Sequence, residues 1–240
     1  MALPISNTPI YSLTIPSSES EFKFRPFLVK EQKTLLLAQQ SEDITTMVNS
    51  LKDVIKSCAK SDININELTT FDLEYIFTQM RAKSVGENIE LFFKCDVDHG
   101  EDNEKAKIKV NIDLTKIEVQ KSETHTKNIK LFDDVGVIMK YPDLNLLKII
   151  ENVNGTNVDE LFKLIIPCID QIYNSNEVFH IKEQSNNDVV DFLNNLTTDQ
   201  FNKIQEFFTT MPKMVYNVEY TCPVCNKLHK ETLEGLQNFF

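Results

Sequence analysis

The sequence predicts an α+β protein built from short antiparallel β-hairpins and blocks of helix. Apolar and polar residues alternate in several short stretches, including residues 11–15, 89–93 and 108–112, as in strands that bury one face. Between these stretches, apolar residues recur at spacings of three and four, as in residues 47–58, which is the pattern of amphipathic helices. The two patterns occupy separate parts of the chain, so strands and helices are both expected.

The N-terminal part of the chain predicts one hairpin followed by helices. Turn-forming residues 16–20 separate the alternating stretch 11–15 from a second one that contains Phe22 and Phe24. The apolar spacing becomes helical after Lys30. A third helix is expected to begin near Thr69, whose hydroxyl can cap its free amides.

The remaining chain predicts a second hairpin, further strands and several helices. The hairpin joins residues 89–93 to 108–112 through a charged loop. Further strands are expected at residues 117–119, 135–141 and 215–221. Helices are expected after Pro142, with an apolar face of Leu144, Leu147, Ile149 and Ile150, and at residues 159–173, 188–196, 199–208 and 232–240. Thr197 and Gln200 fit a capping box at the start of one of them.

The glycine content excludes several classes of enzyme. The 240 residues contain five glycines, and the nearest pair, Gly86 and Gly100, are fourteen positions apart. Neither a GxGxxG dinucleotide loop nor a GxxxxGK phosphate loop can therefore be written. A GxSxG nucleophile elbow is excluded for the same reason.

The charge balance argues against nucleic acid as a partner. The chain has 25 Lys and Arg against 36 Asp and Glu, a net charge of -11, and its two arginines are Arg25 and Arg81. Polyanion binding needs basic residues concentrated on one surface. The longest apolar runs, such as Leu35–Ala38, are far below the roughly 20 residues of a membrane span. No export signal is visible at the N-terminus, so a cytoplasmic protein without a membrane partner is expected.

The five cysteines are expected to be reduced, because their number is odd and no export signal accompanies them. Cys58 and Cys168 lie on apolar helical faces and are expected to be small core residues. Cys222-Pro223-Val224-Cys225 follows a predicted strand and has the form of a zinc knuckle.

A second half-site is available at Cys95 and His99, which also follow a predicted strand. Together, Cys95, His99, Cys222 and Cys225 would make a Cys3His site for a structural Zn²⁺ ion. His229, four residues after Cys225, is an alternative fourth ligand. The alternative interpretation of the CxxC motif is a reduced, metal-free turn. The fold class then includes zinc-knuckle hairpins brought together from residues 89–113 and 214–231.

Other patterns do not support a catalytic site. The acidic stretch from Asp96 to Gly100 places its glycine at position five of a calcium loop instead of six, which favours a solvated loop. No HExxH motif is present, and no nucleophile–base pair can be defended from the sequence. We therefore expect no catalytic residues and no organic cofactor.

Several stretches resemble the baseplate hub proteins of T-even-type contractile-tailed bacteriophages. They cover most of the chain: KFRPFLVKE at 23–31, LLAQQSE at 36–42, FDLEY at 71–75, RAKSVGE at 81–87, CPVC at 222–225 and LEGL at 233–236. The resemblance implies a non-enzymatic protein of tail morphogenesis, made late in infection, which is either a hub subunit or a hub-assembly factor.

The resemblance further implies that the partners are other phage baseplate hub proteins. The same resemblance implies assembly in the host cell cytoplasm, with or without retention in the virion. Two alternatives remain at this point: a zinc-ribbon regulator that binds nucleic acid, and an enzyme whose site is assembled only in three dimensions. The sequence leaves the oligomeric state open.

The metal hypothesis also affects the domain organisation. Residues 1–86 are expected to form an N-terminal hairpin with helices, and residues 87–240 a zinc-stapled α+β region. Within the second part, residues 142–211 would be a helical insertion between two halves of one sheet. If the two cysteine half-sites meet, both parts can belong to one compact unit.

Overall fold

The chain begins with the predicted hairpin. The computed structural model describes residues 7–41, 43–102, 104–143, 146 and 158–235. Strand β1 (Tyr11–Thr14) pairs antiparallel with β2 (Glu21–Phe24), as predicted. Alternation along β2 turns Phe22 and Phe24 inward, and each is 1% exposed.

Three helices follow and pack with the hairpin in a first core. They are α1 (Val29–Gln40), α2 (Ile44–Cys58) and α3 (Thr70–Ser84). Thr69 caps α3 as predicted, because its hydroxyl accepts from the backbone N–H of Asp72 at 3.2 Å. The Asp72 carboxylate accepts in return from the Thr69 backbone N–H at 3.0 Å, which completes a capping box.

Two hairpins and one short strand form a second layer against α3. They are β3 (Asn88–Lys94) with β4 (Lys107–Asp113), and β10 (Lys213–Thr221) with β11 (Leu228–Glu234), while β5 (Glu118–Gln120) pairs with the free edge of β10. The Thr78 hydroxyl of α3 contacts the Met214 sulfur at 3.4 Å within this layer. Ala82 of α3 packs in the same apolar cluster as Ile89 and Ile112.

A four-stranded antiparallel sheet with its own core lies between β5 and β10 in the sequence. Its strands are β6 (Asn128–Phe132), β7 (Val135–Met139), β8 (Ile169–Tyr173) and β9 (Val178–His180), and its helices are α4 (Val158–Ile165), α5 (Asn186–Asn194) and α6 (Thr198–Thr210). The predicted capping box begins α6, since the Thr197 N–H donates to Gln200 Oε1 at 2.9 Å.

Two predicted helices are wrong in part. The helix expected at residues 159–173 ends at Ile165, because Pro167 lies in a short 3-10 turn and residues 169–173 pair in the sheet as β8. The helix expected at 232–240 is wrong over residues 232–234, which continue β11 against β10. There tertiary pairing overrides local helix preference. Residues 236–240, and the apolar face expected after Pro142, lie outside the described residues.

The α+β class with small antiparallel sheets is therefore confirmed. The insertion expected at residues 142–211 contains strands β8 and β9 as well as helices. The division into residues 1–86 and 87–240 stays a prediction, and α3 packs against strands of the second part.

Candidate metal centre

The end of the β3–β4 hairpin carries the first pair of predicted ligands. Lys94 and Lys107 form the last pair of the ladder, and Cys95 is the first residue beyond it. The Cys95 N–H still donates to Ala106 O at 3.4 Å, which fixes where the chain leaves the strand. His99 begins a short turn, because its carbonyl accepts from the Asp102 N–H at 3.1 Å.

The end of the β10–β11 hairpin carries the second pair. Thr221 pairs with Leu228, and the connection between them contains Cys222 and Cys225. The Cys222 N–H donates to Lys227 O at 2.9 Å, and its carbonyl accepts from the Asn226 N–H at 2.9 Å. Asn226 has a φ of 59°, a left-handed conformation that asparagine tolerates better than most residues. These bonds make the tight turn that a knuckle requires.

The two hairpin ends meet, so the four predicted ligands converge. The sulfur and nitrogen atoms of Cys95, His99, Cys222 and Cys225 all lie within 4.8 Å of one another. Cys95 Sγ is 3.8 Å from Cys225 Sγ, and Cys222 Sγ is 3.5 Å from His99 Nε2. A tetrahedral zinc ion with ordinary bond lengths would set these edges at about 3.8 Å and about 3.6 Å. The donor set and its spacing therefore fit zinc.

His229 lies beside the four-ligand cluster, on the Cys95 side. Its Nε2 atom is 3.3 Å from Cys95 Sγ, and its Nδ1 atom is 3.7 Å from Asp96 Oδ1. It groups with Cys95 and Asp96, whereas His99 groups with all three thiols. The ring is 9% exposed and stacks on Tyr220 at 5.0 Å. A ring N–H held here can donate to the Cys95 sulfur, as groups around metal–thiolate sites do.

The thiols differ in their readiness to ionise. Burial opposes ionisation of Cys222, but the backbone N–H groups of Cys225 and Val224 outweigh it and lower its pKa to about 6. Burial and the neighbouring thiols Cys222 and Cys225 raise the pKa of Cys95 to about 11. Because several thiolates would repel one another here, a bound cation is the natural way to hold them together.

An ion pair between the two hairpins lies next to the cluster, and sequence reasoning missed it. Lys227 Nζ is 2.6 Å from Asp96 Oδ2. This hydrogen bond lowers the pKa of Asp96 and raises the pKa of Lys227. The sequence feature that could have indicated this pair is the opposite charge of Asp96, directly after Cys95, and Lys227, two residues after Cys225. Both side chains are well exposed, so the pair orients the hairpins more than it stabilises the fold.

The other two cysteines are core residues, as predicted. Cys58 and Cys168 are 0% and 1% exposed and lie in separate apolar clusters. Burial raises the pKa of Cys58 to about 11 and the pKa of Cys168 to about 12, which makes both thiols unreactive.

An apolar pocket of about 300 Å³ opens beside the four-stranded sheet. Its lining includes the titratable side chains Tyr173 and Asp188. Each makes a local hydrogen bond: the Tyr173 hydroxyl donates to Asn128 Oδ1 at 2.6 Å, and Asp188 Oδ2 accepts from the Ser185 hydroxyl at 2.6 Å. The described lining therefore contains no nucleophile–base pair of the kind that catalysis needs.

The comparisons identify the family. The model of the T4 bacteriophage base plate protein family matches residues 8–240, so the chain belongs to that family. The baseplate hub assembly protein gp26 of Enterobacteria phage T4 is 24% identical over 217 residues, which cover 90% of each protein. No solved structure is significantly similar. Across the part of the chain that the structure describes, every helix is too short or too polar to cross a membrane.

Proposed function

We propose that this protein is a non-catalytic assembly factor or subunit of the phage baseplate hub, and that it acts by binding other hub proteins. The single observation that carries the proposal is the relationship to the T4 hub assembly protein, which extends over 90% of both chains. The acidic surface agrees with binding to proteins rather than to nucleic acid. Assembly in the host cytoplasm follows from this role.

Co-expression tests the proposal directly. The chain should co-purify with at least one hub protein of the same phage, and a phage that lacks its gene should accumulate baseplate wedges without hubs. Absence of any complex, together with normal baseplates in the deletion phage, would refute the assembly role. Peptide mass spectrometry of purified virions and of infected-cell extracts separates a permanent subunit from a factor that leaves after assembly.

A structural zinc ion forms the second part of the proposal. Cys95, His99, Cys222 and Cys225 would hold the ion, and His229 would donate to the Cys95 sulfur from outside. The ion would supply cross-linking only, because a closed set of four protein ligands leaves no position for a substrate. The distances of 3.8 Å and 3.5 Å between ligand atoms support the assignment.

Metal analysis tests the zinc site separately from assembly. The purified protein should contain about one zinc per chain, because one tetrahedral site uses all four ligands. Cys225→Ser should lose the zinc, whereas Val224→Ser, which changes the exposed neighbour inside the same turn, should keep it. Equal metal content in both variants would rule the site out.

A further inference from the structure

A groove lies between α1 and α3. Its lining residues are Phe27, Gln32, Leu35, Leu36, Gln39, Phe77, Arg81 and Val85. The groove has a volume of about 160 Å³. Ligand pockets for organic cofactors are larger, roughly 300–1,000 Å³. The space suits a few side chains of a protein segment laid across the surface.

Apolar side chains form both the floor and the rim of this groove. Phe27 and Phe77 are 8% and 1% exposed and stack at 6.3 Å, so the floor is rigid. On the rim, Leu36 and Val85 are 52% and 56% exposed. An exposed leucine needs no explanation by itself, but two large apolar side chains flanking an apolar depression are typical of protein-binding grooves.

Arg81 adds a charge to the groove that the described structure does not neutralise. Its guanidinium lies half-buried, with no hydrogen bond or ion pair to any residue of the described ranges. Burial alone lowers its pKa, with no carboxylate acting in the other direction. The other arginine, Arg25, is fully engaged: its Nη2 atom is 2.8 Å from Glu31 Oε1. A partly desolvated cation without a partner is costly, and a carboxylate would relieve that cost.

We propose that this groove docks a protein segment that presents a carboxylate to Arg81 and apolar side chains to Leu36 and Val85. A guanidinium matches a carboxylate with two parallel hydrogen bonds, which gives orientation as well as affinity. The rim amides of Gln32 and Gln39 can bond the polar side of such a segment. The inference rests on the proposed assembly function, since the segment would belong to another hub protein.

Binding measurements with purified hub proteins of the same phage test the groove. Arg81→Glu and Leu36→Asp should each weaken the wild-type interaction by about tenfold or more, because the first repels the proposed carboxylate and the second places a charge where an apolar contact is proposed. Lys182→Glu is the matched control: it makes the same charge reversal at an exposed position outside the groove and should change affinity by less than about twofold. Arg81→Gln should weaken binding without reversing the charge.

Melting curves distinguish a structural role of Arg81 from a docking role. Arg81→Gln removes no hydrogen bond within the described structure, so its melting temperature should stay within about 2 °C of the wild type. A fall of more than about 5 °C in that variant would make Arg81 a structural residue and overturn the proposal.

The remaining outcomes of the binding measurements also test the proposal. If the wild type binds a hub protein and both groove variants bind equally well, the groove is not the docking surface, while the assembly function stands. If the wild type binds none, the assembly function fails and the groove proposal falls with it. If the wild type self-associates and Arg81→Glu disperses it, the occupant is a second copy and the proposed hub segment is wrong.

Discussion

The sulfur of Cys95 lies 3.8 Å from the sulfur of Cys225, although 130 positions separate the two residues. Cys95 is the first residue beyond the β3–β4 ladder, and Cys225 lies in the turn that joins β10 to β11, so the ends of two separate hairpins meet. Phe93 of β3 stacks on Tyr220 of β10 at 4.7 Å just before the two turns. Beyond that stack, Val97 and Val224 are 41% and 38% exposed, so the turns themselves meet mainly through the cysteine and histidine side chains.

Zinc removal should destabilise this end of the protein. Chelation is expected to lower the melting temperature by on the order of 10 °C. Free zinc at about 1,000 times its Kd adds about 4 kcal/mol to the free energy of unfolding, and chelation removes that contribution. Scanning calorimetry with and without a chelator measures the shift. The Cys225→Ser variant should show no shift, since it has no site to empty. An equal shift in that variant would place the chelator's effect elsewhere.

His99 and His229 should differ in their effect on zinc binding. His99→Ala removes a ligand and should abolish stoichiometric zinc. His229→Phe keeps a ring against Tyr220 but removes the ring nitrogen beside Cys95, so one zinc should remain with affinity lowered about 10–100-fold. Competition with a zinc-sensitive dye measures both. If instead His229→Phe abolished zinc binding and His99→Ala only weakened it, His229 would be the fourth ligand and His99 the residue outside the set of four.

The Arg25–Glu31 pair should make the stability of the first core depend on pH in the acid range. Burial opposes ionisation of Glu31, but the hydrogen bond from Arg25 and others outweigh it and lower its pKa from 4.5 to about 2. A lowered folded-state pKa contributes stability above about pH 4.5, and that stability is lost as the pH falls toward about 2.

Glu31→Gln tests this pair. The variant should lose about 3 kcal/mol at pH 7, because the buried Arg25 loses its carboxylate partner, and its stability should vary less between pH 5 and pH 2.5. Urea titrations across that range supply the values. Glu21→Gln is the control: its pair with Lys23 is solvent-exposed, so the expected loss is below about 1 kcal/mol. Equal losses in the two variants would contradict the argument.

A side chain at Gly136 in β7 should destabilise the four-stranded sheet. A Cβ atom there would meet the Tyr173 hydroxyl and would lie 2.8 Å from Ile129 O, a backbone atom of the adjacent strand. Gly136→Ala should therefore cost about 1–3 kcal/mol, as overpacking does. Thermal or urea denaturation measures the loss.

A double-mutant cycle locates the clash at Gly136. Tyr173→Ala removes the ring but leaves Ile129 O in place, so the double variant should recover part of the loss and not all of it. Strict additivity of the two single changes would show that the ring is not the obstacle.

Local patterns predicted most elements, and their failures have physical causes. Alternation around Ile89 and Ile112 and capping at Thr69 were visible in the sequence because both act within a few residues. The strand from Ile169 to Tyr173 was missed because its apolar residues do not alternate and directly follow an apolar helix. Its strand state comes from pairing with β7, which no local window contains.

The candidate metal ligands were predictable because Cys95 and Cys222 each follow a strand. The sequence could not predict which of His99 and His229 joins the cluster, because both lie within a few residues of a predicted ligand. Nothing in the sequence marked Arg81 as part of a binding surface, because its lack of a partner among the described residues becomes visible only in the folded structure. Its neighbours Leu36 and Val85 likewise looked like ordinary helical residues.

The pairing of β5 with β10 sets the order in which the protein can fold as it is made. Residues 121–212 separate the two strands, and the ribosome needs roughly 5–20 s to add them. Throughout that interval Cys95 and His99 have already been synthesised, while Cys222 and Cys225 have not. The four-stranded sheet can form its own core in the meantime, so the two hairpin ends would meet only after that sheet has been synthesised.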